Sequence, residues 1–186
     1  MPDNRFRNQC FEIFNRLEDQ RSEIFARLDT LTDEQLHHSL DPDKWNLLQI
    51  VLHVMTGEKL SVIYIKRKTG SNNDIPKSGI LAKMRLFLLK VAFMSPFKFK
   101  APKLTDATGK DPDYEKLKSD WKIVREDLKS LIKELDENTL KSELFKHPRV
   151  GMLNMKQTLE FMRTHLDHHY NQIIRIVNHP EFPDGE

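Results

Sequence analysis

Cysteine and glycine are scarce in this sequence, and each scarcity excludes a class of protein. The 186 residues include one cysteine, Cys10, so the chain can form no intrachain disulfide and no zinc site built from several cysteines. Only six residues are glycine, which is few for a β-sandwich or barrel, because tight turns depend on this residue. Helices need glycine mainly at their ends. The composition therefore predicts an all-α protein.

A strong charge bias and long apolar runs are also missing. The formal net charge is only +2 at pH 7, so we expect no nucleic-acid partner. No stretch approaches the ~20 apolar residues of a membrane span, and the polar N-terminus lacks the apolar region of a signal peptide. With 38% hydrophobic and 31% charged residues, the chain has the balance of an ordered globular protein. We expect it to be cytoplasmic.

Apolar residues recur at helical spacing in four long segments, which are residues 3–29, 46–68, 113–136 and 155–178. Thr32 to Gln35 has the pattern of a capping box that opens a short helix. Four amphipathic helices of this length can bury their apolar stripes against one another, which predicts an all-α four-helix bundle. We expect one domain over residues 1–180, followed by a tail at 181–186.

Residues 71–112 lie between the second and third bundle helices, and we interpret them as a basic insertion. An apolar helical pattern over 79–94 predicts an extra helix there. The overlapping segment 66–103 holds ten lysines and arginines against one acidic residue, with aromatic residues interleaved. Such a segment can lie on an anionic membrane surface or bind an acidic partner. We favour the alternative, in which its apolar face packs on the bundle or on a second subunit.

The last helix brings two histidines to its apolar, core-facing side. His165 and His169 are four residues apart, so they differ by about 40° around the helix axis, and Gln172 falls beside them. A buried imidazole without a partner costs about 1–3 kcal/mol. A metal ion can partner both rings, and a hydrogen-bonded pair of core histidines is the alternative. His168 points about 60° away from His165, which favours a position at the rim.

The second helix offers a third ligand, His53, in an otherwise apolar run. Its face also carries polar residues, including Gln49 and Thr56, and a polar strip is unusual inside an apolar helix. Glu58 lies about 140° off that face, so we do not assign it as a ligand.

With these residues in view, the chain resembles the DinB/YfiT-like superfamily. One matching segment is Trp45-Asn-Leu-Leu-Gln-Ile-Val-Leu-His53, and the other is His147-Pro-Arg-Val-Gly151 followed by His165-x-x-x-His169-x-x-Gln172. The order and separation of the helices agree over nearly the whole chain. The resemblance implies a DinB/YfiT-type bundle in which His53, His165 and His169 hold one divalent metal ion, zinc or nickel, often in a homodimer. The long basic stretch at 71–112 departs from the family pattern.

The resemblance also implies metal-dependent chemistry, since family members of known activity include transferases and an isomerase that use low-molecular-weight thiols. Three histidines leave a coordination position open, as in catalytic sites. Such a site can activate water for hydrolysis or a low-molecular-weight thiol for S-transfer to a small-molecule substrate. We assign Gln49 and Gln172 to orient water or substrate, and His168 as the titratable candidate nearby. The alternatives are a non-enzymatic binding protein that works through 66–103 and a bundle whose metal is structural.

Overall fold

The computed structural model describes residues 4–71, 75–76 and 102–184. Within these ranges the helices are α1 (Arg5–Leu28), α2 (Asp33–His37), α3 (Leu47–Thr69), α4 (Tyr114–Glu134), α5 (Glu137–Lys141) and α6 (Met155–Val177). A short 3₁₀ helix covers Lys103–Thr105. Two short strands, β1 (Phe145–His147) and β2 (Gly151–Leu153), pair in antiparallel fashion. The four long helices pack around one apolar core, which confirms the predicted all-α bundle.

Helices α1 and α6 run parallel to each other. Lys156 near the start of α6 donates to Gln9, and Gln20 donates to Asp167 further along both helices. Each pair is separated by 147 residues of sequence, and a constant separation means that the two helices advance in the same direction. The first and last helices of the bundle are therefore side-by-side parallel neighbours.

Helices α3 and α4 are also parallel, and this sets the distance that the segment between them must span. Trp121 donates to Glu58, and further along both helices Asp127 pairs with Lys66. A 23-residue helix is about 34 Å long. The chain leaving α3 must therefore return the length of the bundle before α4 can begin. Residues 71–112 therefore join two points at opposite ends of the bundle, the end of α3 and the start of α4. The helix predicted at 79–94, and most of the basic segment 66–103, lie outside the described residues.

Capping explains where several helices begin. Helices α2, α3 and α6 each open with a capping box, formed by the pairs Thr32/Gln35, Asn46/Gln49 and Asn154/Gln157. In each box the first side chain accepts from a backbone N–H of the first turn, and the second side chain accepts from the N-cap backbone. The box predicted at Thr32 is confirmed.

Helix α3 is the most apolar of the long helices. Contrary to the expectation that no stretch approaches a membrane span, α3 is by length and composition the one helix among the described residues that could cross a membrane, although 56% of its most apolar window is buried inside the protein. The core helix of a bundle has the same composition. Its buried side chains also include three polar ones, His53, Glu58 and Ser61. The packing thus accounts for the apolar character of α3.

Two local features depart from the predicted helices and the segments between them. Residues 147–151 form the turn of a β-hairpin, and Gly151 there has φ +76°, in the left-handed region that favours glycine. The helix predicted over 113–136 ends at Glu134, and a separate short helix follows. Asp136 begins that short helix by accepting hydrogen bonds from the backbone N–H groups of Asn138 and Thr139. Aspartate favours this N-cap position, which explains the break.

Candidate metal centre

Helices α3 and α6 bring His53, His165 and His169 together. The Nε2 atom of His165 lies 3.2 Å from Nε2 of His53 and 3.1 Å from Nε2 of His169. Within the described ranges these residues form the one group of three or more potential ligands, with their ligand atoms within 4.8 Å of one another. His53 and His169 are buried, whereas His165 is half-buried as a residue. The predicted cluster is therefore assembled, with His165 the least buried of its three residues.

In His53 and His169, the nitrogen that points away from the cluster is Nδ1. The hydrogen bond that it makes determines that Nε2, which faces the cluster, carries a lone pair. Nδ1 of His53 lies 2.8 Å from the carbonyl oxygen of Thr105, and Nδ1 of His169 lies 3.0 Å from Oε1 of Gln172. Both oxygens can only accept, so each Nδ1 carries a proton and each neutral ring presents an unprotonated Nε2. Metal-binding histidines in proteins are oriented in this way.

The arrangement of the three Nε2 atoms is explained better by a shared cation than by hydrogen bonds among the rings. With Nε2 of His53 and His169 unprotonated, only His165 could supply a hydrogen: a proton on its Nε2 would be shared between two acceptors, and a proton on its Nδ1 would leave three lone pairs facing one another. Zinc at about 2.0–2.1 Å from each imidazole nitrogen would place tetrahedral ligands about 3.3 Å apart. The observed 3.1 and 3.2 Å separations are close to that edge length. The donor set therefore matches one divalent transition metal ion.

Burial keeps the cluster in the neutral form that binds metal. Desolvation lowers the pKa of His53, and it lowers the pKa of His169 to about 3. The pKa of His165 falls well below its ordinary value, first through burial and then because a proton on it would be repelled by a proton on His169 or His53. Neutral imidazole is the ligand form, so no proton has to leave before a metal binds at pH 7.

A loop that precedes α4 holds His53 in place. The carbonyl oxygen of Thr105 accepts a hydrogen bond from Nδ1–H of His53. In the same loop, the Thr108 hydroxyl donates to Asp106 over 2.7 Å. The indole of Trp45 donates to the Thr108 hydroxyl, and its ring centroid lies 4.8 Å from that of His53. Trp45 thus fastens this loop to α3 and covers one side of the His53 ring.

Gln49, Gln172 and His168, to which the sequence analysis assigned catalytic roles, lie at different distances from the three histidines. Gln172 contacts the centre through His169. The Gln49 amide accepts from the Asn46 backbone in the capping box and donates to the Lys110 carbonyl, so it anchors the same loop, and its action on water or substrate stays a prediction. His168 is half-buried, with its ring centroid 5.0 Å from that of His169. It lies at the rim, near the ligands.

A buried ion pair between α3 and α4 escaped the sequence reasoning. Glu58 accepts from Nε and Nη2 of Arg125 and from Nε1 of Trp121, each over 2.7 Å. The Glu58 and Arg125 side chains are 2% and 1% exposed. Glu58 therefore faces α4 and is not a metal ligand, in agreement with its angular position. The sequence feature that could have predicted the pair is the position of Arg125, a charged residue on the apolar stripe of α4 beside Trp121.

Comparison with known proteins agrees with this geometry. A family model described as the DinB superfamily matches residues 16–173, which include all three histidines of the cluster and most of the 186-residue chain. Comparisons with curated proteins and with solved structures gave no match. The fold, the histidine cluster and the family model lead to one conclusion: the chain belongs to the DinB superfamily.

Proposed function

We propose that this protein is a metal-dependent enzyme that holds one divalent ion, zinc or nickel, on His53, His165 and His169. Its reaction is S-transfer from a low-molecular-weight thiol, with hydrolysis by activated water as the second candidate. The observation that carries the proposal is the convergence of three imidazoles on one point, with His165 the least buried of the three residues. Structural zinc sites are closed by four protein ligands, whereas three leave a position for a reacting molecule.

The bound ion would supply Lewis acidity, which lowers the pKa of a thiol or water held at the open position. The protein's own residues would orient the ligands and limit the access of water. Thr105 and Gln172 hold the outer nitrogens of two ligand rings. Trp45 covers one side of His53. His168, beside the cluster, is the titratable group that we propose receives the proton from the thiol, while sulfur bonds to the electrophilic carbon and the leaving group departs with its electron pair.

The positions of the carboxylates favour thiol transfer over hydrolysis. Hydrolysis by a metal site commonly uses a carboxylate as general base. Glu58 is engaged by Arg125 and Trp121, and the Asp106 Oδ1 accepts two hydrogen bonds from Thr108. Within the described part of the chain, the three-histidine group includes no carboxylate. A thiol needs such a base less than water does, because its pKa of about 8.5 is already close to neutral.

The proposal is tested with protein loaded separately with zinc and with nickel. Transfer of cysteine or glutathione to 1-chloro-2,4-dinitrobenzene is followed by absorbance, and hydrolysis of p-nitrophenyl acetate is measured on the same samples. We expect metal-dependent thiol transfer that falls at least about 100-fold in His53→Ala, with His179→Ala, just beyond the C-terminal end of α6, as the matched control. Equal rates in wild type and His53→Ala would contradict the proposal. Ester hydrolysis without thiol transfer would favour the second candidate.

We further propose a cytoplasmic homodimer that acts on a small molecule without a nucleic-acid or membrane partner. Support comes from the family resemblance and from the small net charge of +2. Sedimentation velocity at micromolar concentration would show a species of about twice the 22.0 kDa chain mass. A monomer at all concentrations would contradict the dimer and leave the metal centre unaffected.

A further inference from the structure

His147 ends β1, and the hairpin fixes the direction of its ring. Nδ1 of His147 accepts from the backbone N–H groups of Arg149 and Val150, at 3.2 and 3.3 Å. Two donors aimed at Nδ1 require its lone pair, so the neutral ring carries its proton on Nε2. Nε2 lies on the side of the ring away from the turn. Within the part of the chain that the structure describes, no hydrogen bond satisfies this N–H.

A ladder of rings connects His147 to the metal centre. The centroids of His147 and Phe161 are 4.3 Å apart, and those of Phe161 and His165 are 5.6 Å apart with nearly parallel rings. These two contacts put the His147 ring within about 10 Å of the His165 ring. His147, Phe161 and His165 are all partly exposed. His147 therefore lies on the His165 side of the centre, with the Phe161 ring, one helical turn before His165, between them.

The electrostatics at His147 suit an anionic oxygen. Burial, and secondarily the Arg149 guanidinium, lower the pKa of His147 to about 4, so the ring stays a neutral N–H donor at pH 7. Protonating Nδ1 would also break both hairpin hydrogen bonds. A neutral donor beside an arginine on an exposed turn matches a carboxylate, which accepts hydrogen bonds and is attracted by the guanidinium.

We propose that His147 Nε2–H donates a hydrogen bond to a carboxylate of the small molecule that reacts at the three-histidine centre. Arg149 adds attraction for the same group. This inference rests on the proposed function and adds one chemical feature of the substrate or thiol to it. That molecule carries a carboxylate several ångströms from its reacting atom, and Phe161 packs against the chain that joins them.

The test uses zinc-loaded full-length protein and thiols as probes. Calorimetry measures the Kd of mercaptocarboxylates of two to six carbons and of mercaptoalcohols of the same lengths. Each pair shares the thiol and differs in the terminal group. We expect at least one acid to bind wild type about tenfold tighter than its alcohol, the size of effect given by one charge-assisted hydrogen bond. No preference for any acid would overturn the proposal.

Variants assign the preference to His147. His147→Phe retains a ring against Phe161 and removes the donor, so the acid and alcohol should then bind within about twofold of each other. His147→Gln retains an N–H donor and should keep part of the preference, and His179→Phe is the matched control. An unchanged preference in His147→Phe would overturn the proposal.

Two further measurements test the proposal even if a His147 variant folds poorly. In wild type, the ¹⁵N resonance of His147 Nε2 should shift when the preferred acid is added, and an unmoved resonance counts against the donor. Zinc content is measured on every sample. Failure of wild type to hold zinc overturns the proposed function and this inference together. Full zinc content with a carboxylate preference independent of His147 overturns this inference alone.

Discussion

The Nδ1–H group of His53 donates to the carbonyl oxygen of Thr105 over 2.8 Å, across 52 residues of sequence. This bond turns the His53 Nε2 lone pair toward His165 and His169. Thr105 belongs to the 71–112 segment, which sequence reasoning treated as an insertion. The segment therefore contributes to the metal centre as well as connecting two parallel helices.

Thr108→Val should weaken metal binding through the Thr105 loop. The Thr108 hydroxyl accepts from Trp45 and donates to Asp106, so its loss frees the loop that orients His53. We expect the metal Kd to rise roughly threefold to tenfold, at the low end for an outer hydrogen-bond partner. Competition with a chromogenic chelator measures the Kd. The exposed Thr30→Val is the matched control, and equal Kd values in both variants would show that the loop does not position His53.

Gln172→Ala should have a larger effect, because Gln172 bonds a ligand directly. Without its Oε1, the His169 Nδ1–H loses its acceptor and the ring loses its preferred orientation. We expect the metal Kd to rise about 10–100-fold. Asn171→Ala, at the neighbouring exposed position, serves as control in the same chelator assay. A Kd within twofold of wild type would mean that packing alone orients His169.

Glu58→Gln should destabilise the fold and leave the metal centre intact. Removing the carboxylate charge leaves Arg125 buried without its main partner, which costs about 3–5 kcal/mol of unfolding free energy. Urea unfolding of the metal-free protein measures this cost, and Glu126→Gln on the exposed face of α4 is the control. Metal content should stay at one equivalent. Loss of metal with unchanged stability would mean that Glu58 acts at the metal centre.

The metal-free protein should lose stability as the pH falls from about 6.5 to 4. The pKa of His169 in the folded protein is about 3, below its ordinary value near 6.5, so in this window the unfolded chain binds a proton that the folded chain does not. Each such histidine removes about 1.4 kcal/mol of unfolding free energy per pH unit. Urea titrations at several pH values give the slope, and His169→Gln should reduce it by that amount. An unchanged slope would mean that His169 is already protonated when folded.

The bundle and the ligand set were accessible from the sequence for a simple physical reason. Helical periodicity determines which residues share a face, so the four-residue spacing of His165 and His169 already placed both on the core side of one helix. His53 stood out as a polar residue in an apolar run. The family resemblance then supplied the pairing of the two helices, which periodicity within each helix cannot give.

The parts that escaped prediction depend on contacts between distant segments. The bond from His53 to Thr105 and the pairing of Glu58 with Arg125 span 52 and 67 residues, and no local pattern encodes either partner. The parallel arrangement of α3 and α4 is also a tertiary property. Gln49 could not be assigned from its position alone. A polar residue there is compatible with a substrate contact and with the capping box that it forms with Asn46 in the structure.

The most direct test of the central claim is the metal content of untagged protein, measured by plasma mass spectrometry in wild type, His165→Ala and the control His179→Ala. We predict about one equivalent of zinc or nickel in wild type and in the control, as expected for a single three-histidine centre. In His165→Ala the metal should be lost, because the nitrogen that contacts both other ligands is removed. Wild-type protein without metal after incubation with zinc and nickel, or full metal content in His165→Ala, would contradict the account.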